Sequence, residues 1–188
     1  MTGAGTWSIR TAEPGDVQQL AGLGVTLFRQ AYGATHPEPT LSEYVARSFA
    51  LPRVAQTLED PASTILVAST NGSLIGYAEL HEGPPTAPTT VLARPLPGGA
   101  PMEIVRFYVD QAWHGRGVAQ DLMHACEERA RGRSCDAIWL QAWQQADRAL
   151  RFYRKAGFDV YGTAVFTFGA RADRDLILAR GLLRRAPA

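Results

Sequence analysis

Residues 103 to 131 constrain the fold of this chain more than any other stretch. Glu103-Ile104-Val105-Arg106-Phe107-Tyr108-Val109 is rich in β-branched and aromatic residues and is stopped by Asp110 and Gln111, a pattern that predicts a strand. His114-Gly115-Arg116-Gly117-Val118-Ala119 follows. From Val118 the apolar positions Val118, Leu122, Ala125, Cys126 and Ala130 return at three- and four-residue steps, the period of a helix. The stretch therefore reads as strand, tight glycine turn, helix. Gly115 and Gly117 let the backbone approach a ligand and adopt dihedrals closed to other residues. The first helical turn offers unpaired N–H groups and the positive end of the helix dipole, and Arg116 adds a full charge. Such a turn suits a phosphate or pyrophosphate, although Gly-x-Gly also serves ordinary tight turns. A dinucleotide fingerprint would need glycine or alanine at position 120, which is Gln120, and the chain has no Gly-x-x-x-x-Gly-Lys-Ser/Thr loop.

The partner of such a turn is expected to be a small molecule. The formal net charge is +1, which gives no electrostatic footprint for nucleic acid or an anionic membrane. A length of 188 residues suits a single domain, residues 1–188, with a core that needs no staples. The two cysteines, Cys126 and Cys135, read as buried or incidental thiols. With His36, His81, His114 and His124 they show no metal-ligand spacing, so no metal is expected. The start of the chain lacks a basic patch followed by an apolar core, and no apolar run reaches membrane-spanning length. A cytoplasmic protein without membrane or nucleic-acid partners is the expectation.

His114-Gly115-Arg116-Gly117-Val118-Ala119 resembles the pyrophosphate loop, Gln/Arg-x-x-Gly-x-Gly/Ala, of the GNAT N-acetyltransferase superfamily. Trp139-Leu140-Gln141-Ala142-Trp143 and Ala149-Leu150-Arg151-Phe152-Tyr153-Arg154-Lys155-Ala156-Gly157-Phe158 resemble its second conserved block. Together the blocks cover residues 103 to 166. The resemblance implies an α/β fold: a mixed, mostly antiparallel sheet of about seven strands with a splayed parallel central pair and helices on both faces. It also implies acetyl-CoA as cosubstrate and an amine acceptor, small molecule or peptide, with a homodimer left open as the assembly.

In chain order, Trp7 to Ala12 predicts a first strand, and Pro14-Gly15-Asp16 turns the chain and caps a helix with Val17, Leu20, Leu23, Val25 or Leu27, and Phe28 on its apolar stripe. After the loop His36-Pro37-Glu38-Pro39 a second short helix is expected around Leu41, Tyr44, Val45 and Phe49. The resemblance makes these helices one wall of the acceptor pocket, with Tyr32, His36, Glu38, Glu43 and Tyr44 as candidate contacts. Residues 63–69 and 74–80 are strands joined at Asn71-Gly72, a hairpin signal. Residues 82–101 hold half of the 12 prolines and read as an insertion or a lid. A strand is expected over 137–143 and a helix over 146–156, stopped by Gly157. Residues 158–168 and 175–179 finish the sheet, and a basic end follows at 180–185.

The resemblance also assigns roles. Glu103 stands eleven residues before the first loop position, where the histone-acetylating branch has its general base. An amine must lose a proton to attack a thioester, and a partly desolvated carboxylate can accept it. The backbone of Phe107, Tyr108 and Val109 faces pantetheine, and His114 through Ala119 hold the pyrophosphate. Tyr153 matches the acid that protonates the departing thiolate. Two positions depart from the pattern. Ala146 replaces an asparagine that would bond the cofactor, leaving Gln144, Gln145 or Asp147 as substitutes. His114 replaces Gln or Arg, which would make cofactor affinity depend on pH were the imidazole to approach phosphate. Arg106-Phe107-Tyr108-Val109 and the stretch from Phe166 to Leu178 are most similar to the polyamine-acetylating PaiA-type branch. The expected activity is acetyl transfer to a primary amine, a polyamine first; the alternative is a non-catalytic acyl-CoA sensor.

Overall fold

A computed structural model describes residues 6–169 and 171–182. The first five residues and positions 183–185 of the basic end lie outside the described residues. In chain order the elements are β1 (Ser8–Thr11), α1 (Val17–Tyr32), α2 (Glu38–Ser48), α3 (Leu51–Glu59), β2 (Ser63–Thr70), β3 (Ser73–Glu82) and β4 (Val91–Leu92). There follow β5 (Pro101–Val109), α4 (Val118–Gly132), β6 (Ala137–Trp143), α5 (Asp147–Lys155), β7 (Asp159–Phe168) and β8 (Arg171–Gly181). The strands hydrogen-bond in the order β1-β2-β3-β5-β6-β8-β7-β4. The fold is the expected mixed α/β sheet, with eight strands because of the two-residue β4. Its described residues cluster into two compact units, one running up to residue 80 together with 106–126, the other 81–105 together with those from 127 onward.

In the first unit β1 pairs antiparallel with β2, Ile9 opposite Ala68. The turn to β3 has φ +48° at Asn71 and +78° at Gly72, the two left-handed residues that match the twist of a two-residue hairpin. Helix α1 buries Leu20, Ala21, Gly24, Leu27 and Phe28, one helical stripe. Gly24 is required there, because a Cβ would run into the Phe49 ring. Asp16 precedes α1 but gives that helix no side-chain cap. It instead closes a capping box with Glu13 over a short 3₁₀ turn and takes Arg10 bidentately at 2.6 and 2.8 Å. The second helix begins earlier than its apolar stripe suggests, at Glu38, because Pro39 is tolerated in a first turn. Helix α3 has no counterpart in the sequence reading, and it too carries a proline, Pro52, in its first turn.

In the second unit β5 and β6 run parallel from Pro101↔Ala137 to Ile104↔Leu140, where their ladder ends. Strand β6 continues against β8 to Trp143↔Asp175. β7 and β8 form a long antiparallel pair with an irregularity between Val160 and Gly162. Trp139, Ala164, Ile177 and Ala179 pack as one buried cluster with Leu96 and Tyr161 against it. The proline-rich stretch is pinned down within this unit. Ala93 N donates to Tyr161 O at 2.8 Å, Trp139 Nε1 donates to Gly83 O at 2.8 Å, and Asp136 accepts from the amides of Gly99 and Ala100. Residues 82–101 thus strap the sheet, with β4 covering part of the β7 edge.

Candidate active site

The glycine turn is built as its residue types require. Gly115 has φ +76° and Gly117 +101°, so both occupy backbone closed to ordinary side chains. Asp121 N donates to Gly117 O at 3.1 Å, the first α-helical bond of the turn. The amides just ahead of Asp121 therefore have no partner one turn back. Val118 is fully buried with Ala68 and Ile75, which anchors the helix start, while Gly115 and Arg116 are exposed.

Residues that sequence reasoning passed over hold this turn. Trp7 Nε1 donates to Asp121 Oδ2 at 2.9 Å, and its ring meets Trp113 edge-on at 6.2 Å. The Arg116 guanidinium lies 5.2 Å from the Trp113 ring. Gln111 bonds to Gln30 of α1 through both its amide and its side chain, each at 3.2 Å. His114 turns back toward the strand, with Nε2 2.8 Å from the Val109 carbonyl. A carbonyl only accepts, so Nε2 carries the proton and the imidazole is committed to bracing the loop.

The acceptor candidates of this unit fall into two groups. Tyr32 and Tyr44 flank Phe28, at 4.6 and 4.4 Å, and His36 is buried with its ring edge-on to Tyr32 and Nδ1 2.8 Å from Thr35 Oγ1. Glu38 is already engaged: it accepts from Arg29 Nη1 at 2.5 and 2.7 Å and from Ser42 Oγ at 2.8 Å. The Arg29 hydrogen bond, with Ser42 second, holds its carboxyl below the usual range. Glu43 is exposed on α2.

Beside them lies a polar centre that no single motif announces. Arg106 of β5 and Glu79 of β3 form a buried ion pair, with side-chain exposures of 16% and 9%. The guanidinium lies 5.1 Å from the Phe49 ring. Burial, the largest single influence, pulls the Arg106 pKa down, but the Glu79 carboxylate together with the neighbouring Tyr77 and Tyr44 raises it further, so the group sits above its ordinary value. Tyr77 meets Tyr108 at 5.9 Å, and burial pushes both phenols up. Tyr77, Glu79 and Arg106 line a cavity of about 20 Å³ with Leu20, Phe49 and Val54, room for about one water molecule.

The second unit holds the two residues expected to move protons. Glu103 is half-buried in β5, opposite Trp139. Tyr153 is buried on α5, 8% exposed, with Phe152 and Phe158 edge-on at 5.6 and 5.8 Å. Ala146 is the N-cap of helix α5 and supplies no side-chain cap, so the bond an asparagine would make has no counterpart there. Asp147 places a negative charge in the first turn, and Gly157 ends the helix at φ +83°. On β8 sits Asp175, only 7% exposed, bonded by Gln141 Nε2 at 2.9 Å; burial first, then Asp173, push its carboxyl up. Its signal in the sequence was the alternation Asp173, Asp175, Ile177, Ala179, which puts two carboxylates on the inward face of a strand.

Residues 25–158 match the acetyltransferase (GNAT) family, and the chain belongs to it. An uncharacterised N-acetyltransferase of Mycobacterium tuberculosis is 29% identical over 168 residues, covering 89% of this chain and 99% of the relative. Among solved structures, the PaiA N-acetyltransferase of Thermoplasma acidophilum in complex with coenzyme A superposes with a TM-score of 0.72 at 17% identity, over 94% of this chain and 99% of that one. An aminoglycoside 6'-N-acetyltransferase complexed with coenzyme A gives 0.64 at 15% identity, over 96% and 99%. The protein is an N-acetyltransferase that uses acetyl-CoA. Among the described residues, no group of three His, Cys, Asp or Glu could hold a metal ion, and no helix is long and apolar enough to cross a membrane.

Proposed function

We propose that this chain acetylates a small cationic primary amine, polyamines first, by direct attack on acetyl-CoA, with residues 1–188 serving as one catalytic domain. The observation that carries the cofactor half of this reading is the turn itself: left-handed Gly115 and Gly117 opening directly into α4. In the proposal the backbone N–H groups from Arg116 to Ala119 take the pyrophosphate, with His114 and Gly115 shaping the loop. The backbone of Phe107, Tyr108 and Val109 faces pantetheine, and Ala146 lies where a further side-chain bond is lost. Tyr32, His36, Glu38 and Tyr44 shape the acceptor side.

The chemistry requires three proton transfers: two off the nitrogen and one onto the sulfur. Glu103 accepts a proton from the ammonium, freeing the lone pair that attacks the thioester carbonyl. The carbon–sulfur bond then breaks, Tyr153 supplies a proton to the departing thiolate, and the acylated nitrogen returns its surplus proton to the Tyr153 phenolate, leaving an N-acetyl amine, free CoA and a proton on Glu103. The ring of Tyr153 is held edge-on by Phe152 and Phe158, which supports its reading as a positioned acid. A PaiA-like acceptor preference is supported by the Arg106-Phe107-Tyr108-Val109 strand and by the fold likeness.

Free-thiol release from acetyl-CoA, measured across a panel of amines, tests the reading. Turnover with spermidine but not with peptide amines supports it, and turnover with peptide amines alone overturns the acceptor assignment. Tyr153→Phe is expected to cut turnover while preserving acetyl-CoA binding by calorimetry. The second reading, an acyl-CoA sensor, is favoured by the uncapped start of α5 at Ala146. Acetyl-CoA binding without thiol release from any amine would decide for it.

A further inference from the structure

We propose that Asp175, framed by Trp143 and Phe166, recognises a second cationic group on the acceptor, which makes this chain selective for extended diamines and polyamines. This inference rests on the acetyl-transfer reading above and adds the residue that sets its specificity.

Register puts the relevant side chains on one face of the sheet in the second unit. Side chains of a strand alternate, so Trp139, Gln141 and Trp143 of β6 point the same way. Glu103 is directly opposite Trp139, Ile177 opposite Gln141, and Asp175 opposite Trp143. On the other side of β8, Ala164 is opposite Asp175 and Phe166 opposite Asp173. The proposed general base and Asp175 therefore share a face. Partly exposed Gln141, Trp143 and Phe166 lie on the same face as this buried carboxylate, which stands opposite the small Ala164.

Two independent observations point to a cationic ligand. First, Asp175 is 7% exposed, and its hydrogen bond comes from the neutral amide of Gln141. Among the described residues no lysine, arginine or histidine pairs with it, unlike the buried Glu79. A buried carboxylate without a cation is costly, and one is kept where a ligand will supply the charge. Second, the same face already receives a cation. Arg171 donates to Asp173 Oδ1 at 2.6 Å while its guanidinium lies 5.9 Å from the Trp143 ring. A carboxylate and an aromatic face together make a seat for a positive group.

The spacing sets the length of the acceptor. From Glu103 to Asp175 the path crosses two strand spacings and four residues of rise, roughly 16 Å between backbones, which the reach of both side chains shortens to about 10 Å between ligand nitrogens. An amine reacting beside Glu103 thus needs its second charge several methylenes away. A short diamine falls short, and a long monoamine has nothing to offer Asp175.

The test compares 1,8-diaminooctane with 1-aminooctane on the full chain, by thiol release and by calorimetry, for the wild type and for Asp175→Asn. The asparagine keeps the shape and can still accept from Gln141. Wild type is expected to favour the diamine, and Asp175→Asn to cut that preference roughly tenfold to hundredfold, mainly through KM, as loss of a charge-assisted hydrogen bond implies. A diamine preference left intact in the variant overturns the assignment to Asp175 while acetyl transfer stands. Diamine binding lost in the variant, with no turnover on any amine by either protein, keeps the cation site and overturns the transfer reading. No diamine binding by the wild type overturns the site. The variant should melt at or above the wild-type temperature, which separates lost recognition from lost folding.

Discussion

Replacing Glu79 with glutamine tests how the first unit is held together. The substitution keeps the size of the side chain and one acceptor oxygen, and removes the charge that balances Arg106. Both partners are buried, Glu79 at 9% and Arg106 at 16% side-chain exposure, so water cannot take over the solvation of the stranded guanidinium. Breaking such a pair from one side costs about 3–5 kcal/mol, because the remaining charge is left uncompensated. For a chain of 188 residues, each kcal/mol moves the melting temperature by about 2–4 °C, so the expected loss is roughly 6–20 °C. Arg106→Met should cost a similar amount, through the orphaned carboxylate and the lost contact with Phe49. The double variant Glu79→Met with Arg106→Met removes both charges and should recover most of the loss, since an apolar pair of similar volume is often as stable. Urea unfolding of the wild type, Glu79→Met, Arg106→Met and the double variant, followed by near-ultraviolet circular dichroism, closes the cycle, with Glu79→Gln measured beside them. A single Glu79→Gln cost under about 1 kcal/mol would refute the argument, because that is the scale of a solvent-exposed pair.

Gly117→Ala should weaken acetyl-CoA binding at least tenfold by calorimetry, because φ +101° strains any side chain by about 1–3 kcal/mol even though Trp7, 3.5 Å from the added carbon, leaves room. Gly162→Val should loosen the strap, since its Cβ would fall 2.9 Å from Leu92 Cα and against the Val91 carbonyl; faster hydrogen exchange at Ala93, which donates to Tyr161, reports it. Asp16 is held below the ordinary carboxyl range by its Arg10 hydrogen bond, partly offset by burial. Its contribution, about 0.5–1 kcal/mol for a pair with a half-exposed arginine, is present above the unfolded-state pKa and is lost as pH falls through the folded one. Acid titration of Asp16→Asn should accordingly show a flatter loss of stability than the wild type.

Local chemistry in the sequence announced several elements, the glycine turn proposed to hold the cofactor among them. The hairpin at Asn71-Gly72, the start of α4 at Val118 and strand 137–143 stand where turn chemistry and period place them. Helix α3 escaped because Pro52 reads as a breaker, yet a proline in a first turn gives up only an amide that has no helical partner. Strand β8 is longer than its apolar core because Arg171 and Asp173, polar enough to read as loop, pair with each other and extend the ladder to Phe168↔Arg171. The ion pair joins residues 27 positions apart and depends on the register between β3 and β5, which periodicity does not encode. His114 shows the same limit: its identity marked the loop, and only the fold reveals that the ring turns back to Val109.

Two of the buried acids, Glu79 and Asp175, contrast a charge neutralised within the fold with one proposed to meet a ligand. Glu79 is neutralised inside its own unit, and removing either partner should cost stability. Asp175 has a raised pKa, so the folded state holds its proton more tightly than the unfolded chain does. Its folding cost is small below the unfolded-state carboxyl pKa and grows as pH rises through the folded-state value, the reverse of Asp16. A carboxylate that costs the folded protein stability when it ionises, and has no cation paired with it among the described residues, would gain its counterpart in the proposal when something positive binds. Replacing it should therefore raise stability and lower selectivity together, the trade expected of a residue kept for its ligand.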